Sequence, residues 1–161
     1  MWRSLGVQVV IFVLAFQGIS WLREARLLDV QTPPPQITLP ALEGGTPLPV
    51  QQNPKRTLVY FFAPWCSICH ASIDNVQDLY AKHHSQLDVV LVAMDFGNKE
   101  EVRSFLSQHS LTMPVLLGNE AVKRQWRIEA YPTYYVLDSD GMVENASMGY
   151  SSSLGLAWRT R

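Results

Sequence analysis

Residues 57–70 read TLVYFFAPWCSICH, a long apolar run that leads directly into two cysteines. The run is β-branched and aromatic without alternation, which predicts a central strand covered on both faces. Apolar residues then recur at helical spacing, which predicts a helix from about Cys66 to His83. Cys66 therefore stands where a strand ends and a helix begins, the edge at which active sites of α/β sheets tend to lie.

The pair Cys66 and Cys69 has the spacing of a dithiol that can open and close a disulfide. A cysteine in the first turn of a helix faces unpaired backbone N–H groups and the positive end of the helix dipole, and both favour the reactive thiolate. Cys69 lies about one turn further along the same face, where it can pair with Cys66 or resolve a mixed disulfide. Since the chain has only these two cysteines, a scaffold of several disulfides or a four-thiolate zinc site is excluded. The pattern predicts a redox-active Cys66–Cys69 disulfide in which Cys66 attacks.

Strands and helices alternate along the rest of the chain. Gly44 and Gly45 separate two short extended pieces, which predict a hairpin confined to a sheet edge by its prolines. After the dithiol, the pattern predicts a strand at 87–94, a helix at 99–109, a strand at 113–117, a helix at 119–126, strands at 133–138 and 142–148, and a helix at 151–161. This alternation is typical of an α/β sandwich with a mixed sheet.

Tyr131-Pro132-Thr133, directly before the strand at 133–138, provides a second signal. A proline before a strand is by itself compatible with an ordinary turn. In a chain that also has a strand, a dithiol and a helix upstream, it predicts a cis X-Pro bond that places a backbone edge beside the dithiol.

Several segments of the chain together resemble a known family. The segments FFAPWCSIC, MDF, EEVRSFLSQH, PVLL, EAVKRQWRI and YPTYYVLDSDG resemble thioredoxin-fold proteins of the TlpA/ResA type over residues 37–150. The tail MGYSSSLGLAWR is similar to membrane-anchored thioredoxin-like proteins of bacterial copper-sensitivity suppressor (Scs) operons. The resemblance implies a thioredoxin fold: a mixed central sheet flanked by helices, an inserted strand and helix, and an N-terminal transmembrane helix.

The resemblance also implies a role for five residues. Cys66 would be the exposed nucleophile and Cys69 the buried resolving thiol. Trp65 would be the flanking aromatic residue, Pro132 the cis-proline, and Tyr131 the residue before it. Trp65, Tyr131 and Pro132 are therefore expected to support substrate binding.

Two positions depart from the pattern of the families that the chain resembles. Thioredoxin has a buried aspartate six residues before its first cysteine, where this chain has Tyr60. ResA-type proteins have a glutamate three residues after the second cysteine, where this chain has Ser72. The sequence therefore names no base for the buried thiol.

Nineteen uncharged residues, SLGVQVVIFVLAFQGISWL, separate Arg3 from Arg23. As a helix they would reach about 28 Å, close to the roughly 30 Å hydrocarbon core of a bilayer. We expect residues 1–22 to be an uncleaved membrane anchor, residues 23–36 a Pro-rich juxtamembrane spacer, and residues 37–161 the thioredoxin-like domain. A cleaved signal peptide and a buried helix are the alternatives.

The charge balance narrows the class of function. With 13 Lys and Arg against 14 Asp and Glu, no excess positive charge is available to neutralise phosphates, so we expect no nucleic-acid partner. The sequence predicts a membrane-tethered thiol:disulfide oxidoreductase that exchanges its dithiol with cysteines of extracytoplasmic proteins, without a cofactor or a metal. We expect it in a bacterial inner membrane, single-pass, with the catalytic domain in the periplasm and a membrane electron donor or acceptor as partner. The resemblance favours the reductase direction.

One alternative reads the same residues as a haem site. The residues from Cys66 to His70 also match C-x-x-C-H, the attachment motif of haem c, with His70 as axial ligand and Met113 as a candidate sixth ligand. The alternation of strands and helices opposes this interpretation, because small c-type cytochromes are mostly helical.

Copper handling is the other alternative. Thioredoxin-fold copper chaperones have a wider C-x-x-x-C pair and a distant histidine, whereas this chain has the narrower pair and scattered histidines, His70, His83, His84 and His109. Each is expected to be a solvated helix residue. His70, next to the dithiol, could instead stabilise the Cys66 thiolate when protonated.

Overall fold

The computed structural model describes residues 7–15, 17–18, 26–50 and 55–161. The first two of these ranges are helical, and the apolar side chains between Val7 and Leu14 are exposed. Among the described residues, no helix combines the length and the apolar character needed to cross a bilayer. The predicted anchor at residues 1–22 lies partly outside the described residues.

The described residues from 38 onward form seven strands and four helices, numbered in chain order. They are β1 (Thr38–Leu39), β2 (Leu48–Pro49), β3 (Arg56–Phe62), α1 (Ser67–His83), β4 (Leu87–Ala93), α2 (Lys99–Gln108), β5 (Val115–Leu117), α3 (Glu120–Gln125), β6 (Thr133–Leu137), β7 (Val143–Met148) and α4 (Ser153–Arg159). Each predicted element is present within about two residues of its expected ends.

The main sheet has five strands in the order β5-β4-β3-β6-β7. β3 is central: it pairs in parallel with β4, with Tyr60 opposite Leu91, and antiparallel with β6, with Tyr60 opposite Tyr134. Residues from Thr57 to Phe62 are all buried, which confirms the prediction of a strand covered on both faces. The predicted mixed α/β sheet is also confirmed.

β1 and β2 form a separate antiparallel hairpin. Gly44 and Gly45 connect them with φ angles of 87° and 99°, a left-handed backbone conformation that glycine adopts without a steric penalty. The hairpin is attached to the main sheet at the edge strand β5, through a bridge between Ala41 and Leu116. The predicted place of the hairpin at a sheet edge is therefore confirmed.

Residues 26–36 belong to the segment that was predicted to be a spacer. They contain turns at residues 26 and 30–31 and pack on the domain: Leu27 is 2% exposed, Pro34 is buried, and the backbone N–H of Gln31 donates to the carbonyl of Val143 at 2.7 Å. Burial of Leu27 is favourable because its side chain leaves water. The described part of this segment therefore belongs to the folded domain rather than to a free-standing spacer.

Three connections meet at one edge of the sheet. β3 ends at Phe62 just before the cysteines, and the parallel strand β4 ends at Ala93 beside it, with Phe62 opposite Ala93. β6 runs the other way, so its first residue, Thr133, lies opposite Phe61. The segments that follow β3 and β4 and the segment that precedes β6 therefore lie side by side.

Candidate active site

The two cysteines lie at the start of α1. Cys66 is the residue before the helix, with an extended backbone (φ −81°, ψ 111°) and no side-chain capping bond. Its N–H donates to the Ala63 carbonyl at 3.0 Å, and its carbonyl accepts from the N–H of His70 at 3.1 Å. Both cysteines are free thiols. Cys66 is 7% exposed and Cys69 is fully buried, so the Cys66 thiol is less open to solvent than the resemblance implied.

The surroundings of Cys69 favour its neutral thiol. Burial is the main cause and raises the pKa of the Cys69 thiol well above its ordinary value, because the anion loses its hydration inside the protein. A hydrogen bond with the backbone of Ala63 partly offsets this effect, whereas the neighbouring Cys66 thiol adds to it. Cys69 is thus held as a protonated thiol at neutral pH.

The loop before β6 brings a backbone edge to the dithiol. The Tyr131–Pro132 peptide bond is cis, as predicted. The Cys66 Sγ lies 3.4 Å from the Tyr131 carbonyl oxygen, to which the thiol donates. The structure therefore brings Cys66 next to the Tyr131-Pro132 pair, which begins 65 residues further along the chain.

An aspartate that the sequence analysis did not single out connects the residues around the dithiol. The carbonyl of Asp95 accepts from the Trp65 indole N–H at 2.9 Å. Its carboxylate Oδ2 accepts from the Tyr131 hydroxyl at 2.9 Å and pairs with the Lys123 ammonium. The Trp65 and Tyr131 rings are edge to face, with their centroids 6.0 Å apart. A usable signal was that Asp95 is the first charged residue after the buried strand β4, at the same sheet edge as Cys66.

These contacts keep Tyr131 neutral. Burial raises the pKa of the Tyr131 hydroxyl, and its hydrogen bond to the Asp95 carboxylate raises it further. A neutral hydroxyl is the form that can donate to a carboxylate. Tyr131 therefore remains a hydrogen-bond donor over the whole working pH range.

Tyr60 and Ser72, at the two positions where an acid was expected, contact each other. The Tyr60 Oη is 2.8 Å from the Ser72 Oγ, and Ser72 donates to the carbonyl of Ile68 at 2.9 Å. Burial raises the pKa of the Tyr60 hydroxyl far above its ordinary value, and the nearby thiols of Cys69 and Cys66 add to this. Neither side chain can serve as a base for the buried thiol at neutral pH.

His70 is half-buried rather than a solvated helix residue. Its Nε2 is 2.9 Å from the carbonyl oxygen of Pro64, and its Nδ1 is 2.8 Å from the Nε2 of His109. Because both ring nitrogens are engaged, His70 presents no free nitrogen to a haem iron, and Met113 is buried at 5% exposure. The residues of the C-x-x-C-H motif do not fit haem attachment in this arrangement.

The other histidines divide into two kinds. His83 and His84 are exposed at the end of α1, as expected. His109 packs its ring 5.0 Å from the Phe105 ring, with its side chain 13% exposed. In the part of the chain that the structure describes, no three His, Cys, Asp or Glu side chains converge in a way that could hold a metal ion.

A groove of about 290 Å³ lies beside the dithiol. It is lined by Trp65 and His70 and by Glu101, Ser104 and Phe105 of α2. Trp65 is 64% exposed. An exposed aromatic ring next to the dithiol provides a surface on which an extended peptide can lie.

Comparison with known proteins identifies related chains. The model of the AhpC/TSA family matches residues 30–146. The sporulation thiol-disulfide oxidoreductase A of Bacillus subtilis is 24% identical over 147 residues, which cover 88% of each chain. The thiol-disulfide oxidoreductase ResA of Oceanobacillus iheyensis is 33% identical over 97 residues, which cover 59% of this chain and 50% of ResA.

Among solved structures, a thiol:disulfide interchange protein of the thioredoxin family from Chlorobium tepidum superposes with a TM-score of 0.72. The two are 21% identical, and the match covers 83% of this chain and 96% of the other. The likeness confirms the predicted thioredoxin fold.

Proposed function

The chain belongs to the AhpC/TSA family and is a thiol:disulfide oxidoreductase of the TlpA/ResA type, and on that premise we propose that Cys66 and Cys69 carry out its exchange reaction. The observation that carries this proposal is the contact of 3.4 Å between the Cys66 Sγ and the Tyr131 carbonyl. The Cys66 sulfur faces the cis-proline loop, whereas Cys69 is fully buried. Cys66 is therefore the nucleophile and Cys69 the resolving thiol.

In the reductase direction the Cys66 thiolate attacks one sulfur of a substrate disulfide. A mixed disulfide forms, and the other substrate sulfur leaves as a thiolate. Cys69 then loses its proton to the departing thiolate or to solvent and attacks the Cys66 sulfur. The second substrate thiolate leaves, the Cys66–Cys69 disulfide forms, and two electrons have passed to the substrate. The oxidase direction is the reverse of these steps.

The substrates are cysteines of proteins, and three residues support their binding. Trp65 offers an exposed aromatic face beside the groove. The carbonyl of Tyr131, the residue before Pro132, contacts the Cys66 sulfur. The raised pKa of Cys69 makes the second step depend on removal of its proton, since only a thiolate attacks a disulfide.

We further propose that residues 1–22 anchor the protein in a bacterial inner membrane with the domain in the periplasm. The exposed apolar side chains between Val7 and Leu14 support this, since such a surface is favourable in lipid and costly in water. Such a tether limits the substrates to proteins near the membrane. A reductase outside the cytoplasm also needs a membrane electron donor, because the compartment is oxidising.

The test of the cysteine roles is substrate trapping in cells. Cys69→Ser should accumulate mixed disulfides through Cys66, because the resolving thiol is missing. Cys66→Ser should accumulate none. Equal trapping by both variants, or by neither, contradicts the assignment.

The direction and the anchor are tested on the wild-type chain. A reduction potential near −250 mV or lower together with free thiols in the cell supports a reductase, and one near −120 mV with a disulfide indicates an oxidant. Recovery of the full-length chain in the membrane fraction after a carbonate wash supports the anchor. Recovery in the soluble fraction contradicts it.

A further inference from the structure

Two histidines and an aspartate form a continuous hydrogen-bonded network behind the dithiol. The His70 Nδ1 is 2.8 Å from the His109 Nε2, and the His109 Nδ1 is 2.8 Å from the Asp74 Oδ1. At the other end, the His70 Nε2 is 2.9 Å from the carbonyl oxygen of Pro64. The network thus joins α1, the end of α2 and the loop that leads to Cys66.

The three contacts fix the number of protons in the network. The Pro64 carbonyl and the Asp74 carboxylate can only accept, so the ring nitrogens that face them must both carry a hydrogen. A third hydrogen must lie between His70 and His109. Two neutral imidazoles carry only two hydrogens, so the pair holds one proton more and is balanced by the Asp74 carboxylate.

Loss of this third proton leaves one contact without a hydrogen. Two acceptors would then face each other at 2.8–2.9 Å, which is repulsive, so one of the three contacts must open. Protonation of the network and closure of all three contacts are therefore the same event.

The network lies where such an opening would reach the reactive thiol. His70 follows Cys69 directly, and Pro64 is two residues before Cys66. The ring centroid of Phe105 lies 4.6 Å from that of His70 and 5.0 Å from that of His109. This packing keeps water from one side of the histidine pair.

The two helices that carry the network also carry charged side chains. Asp74 is part of the network, and Glu101 of α2 lines the groove that His70 also lines. Glu101 itself accepts from the backbone N–H of Gly97 at 2.9 Å. The cation Arg103, also on α2, pairs with Glu43 and Glu100.

We propose that His70, His109 and Asp74 form a proton-operated latch that positions the loop from Pro64 to Cys66 for thiol exchange. This inference deepens the function proposed above, because it rests on Cys66 as the nucleophile. The latch is closed while the third proton is held and opens when it is lost at higher pH. The three residues are positioning residues, since they act through the Pro64 carbonyl and not on the substrate.

His109→Gln can keep the hydrogen bond to the His70 Nδ1 while removing the need for the third proton. A glutamine amide can donate to the His70 Nδ1 at any pH, so His70 keeps its Nε2–H for Pro64 without a third proton. We expect the exchange rate of H109Q relative to wild type to rise about threefold or more between about pH 6 and about pH 9, because only wild type loses one hydrogen bond over that range. His83→Gln, at an exposed histidine, is the matched control, and its ratio should stay constant. A constant ratio for H109Q as well would overturn the proposal.

Imidazole ¹⁵N spectra of the full-length protein test the latch without any substrate. Because His70 and His109 share one hydrogen across their 2.8 Å contact, their ring signals should move together as the pH changes. The signals of His83 and His84 serve as the reference. Four independent titrations would overturn the latch even in an active protein. An enzyme inactive at every pH that still shows the coupled pair would instead count against the proposed function. Circular dichroism of each variant verifies that it is folded.

Discussion

The hydroxyl of Tyr60 lies 2.8 Å from the hydroxyl of Ser72. Because Ser72 gives its hydrogen to the Ile68 carbonyl at 2.9 Å, the hydrogen between the two hydroxyls must come from Tyr60. Tyr60 is held neutral, since burial raises the pKa of its hydroxyl. Both positions at which the resembled proteins have an acid are thus occupied here by a neutral pair that bonds to itself, and neither residue takes a proton from Cys69.

Tyr60→Phe should lower stability without changing the pH profile of thiol exchange. The substitution removes one buried hydrogen bond, which is worth about 1 kcal/mol, and keeps the ring that stacks on Tyr134 at a centroid distance of 6.4 Å. Urea unfolding measures the free energy of unfolding, and exchange rates across pH measure the profile. A shifted profile would mean that the Tyr60 hydroxyl does handle a proton.

Ser72→Ala should cost more than Tyr60→Phe, about 1–3 kcal/mol. It leaves the buried Tyr60 hydroxyl without its acceptor, and an unsatisfied buried donor costs more than a missing pair. The double variant Tyr60→Phe/Ser72→Ala has no unpaired tyrosine hydroxyl. The loss of stability in this variant should therefore be smaller than the sum of the two single losses. Additive losses would contradict the bond between them.

The reduced protein should lose stability above about pH 9, and Cys69 is the cause. Burial raises the pKa of the Cys69 thiol in the folded state, so the unfolded chain releases this proton first as the pH rises. The unfolded state then binds fewer protons than the folded state, and the free energy of unfolding falls by up to about 1.4 kcal/mol per pH unit. Below about pH 8 both states hold the proton, and this contribution is fully present.

A comparison that contains no disulfide isolates this effect. Cys66→Ser retains the Cys69 thiol, and the double variant Cys66→Ser/Cys69→Ser lacks it. Between about pH 8 and pH 10 the urea midpoint of the single variant should fall relative to that of the double variant. Parallel midpoints would show that the buried thiol ionises as readily in the folded protein as in the unfolded chain.

The central part of the fold follows from local sequence patterns. The unbroken apolar run of β3 and the helical spacing of α1 are each encoded within a few residues, and the structure has both. The proximity of Cys66 and the cis-proline loop could be predicted, because an α/β sheet brings the ends of neighbouring strands together. Those features depend on periodicity and topology, which a sequence displays directly.

The polar contacts around the dithiol could not be read in the same way. Asp95 contacts Trp65 and Tyr131, 30 and 36 residues away, and His109 contacts Asp74, 35 residues away. Which residues form these contacts depends on how closely α2 and β4 pack against α1. No local spacing in the sequence encodes that packing. The packing of Leu27 on the domain was missed for a related reason, since the prolines that follow it are equally typical of a free spacer.

Gly118→Ala and Gly155→Ala should have opposite effects on stability. A Cβ on Gly118 would lie 2.1 Å from the Met94 Sδ and 3.1 Å from the Ala93 carbonyl oxygen, so the buried Met94 side chain must move, at a cost of about 1–3 kcal/mol. A Cβ on Gly155 in α4 meets nothing closer than 3.4 Å, and alanine favours the helix by up to about 1 kcal/mol. Thermal unfolding should show a lower Tm for the first variant and an equal or higher Tm for the second. A reversed order would contradict the packing at β4.

Asp95→Asn should lower the pKa of Tyr131 and leave the fold almost unchanged. Asp95 has a φ of 45°, which asparagine tolerates well, so the variant removes the charge without straining the backbone. The bond from Trp65 to the Asp95 carbonyl is kept, and the Lys123 pair is partly exposed, so stability should change by less than about 1 kcal/mol. The Tyr131 hydroxyl loses a negative partner and should ionise at a lower pH, although burial still keeps its pKa above the ordinary value. Tyrosinate absorbance against pH, with Tyr131→Phe subtracted to isolate this residue, measures the shift, and an unchanged titration would show that the Asp95 carboxylate does not hold the hydroxyl.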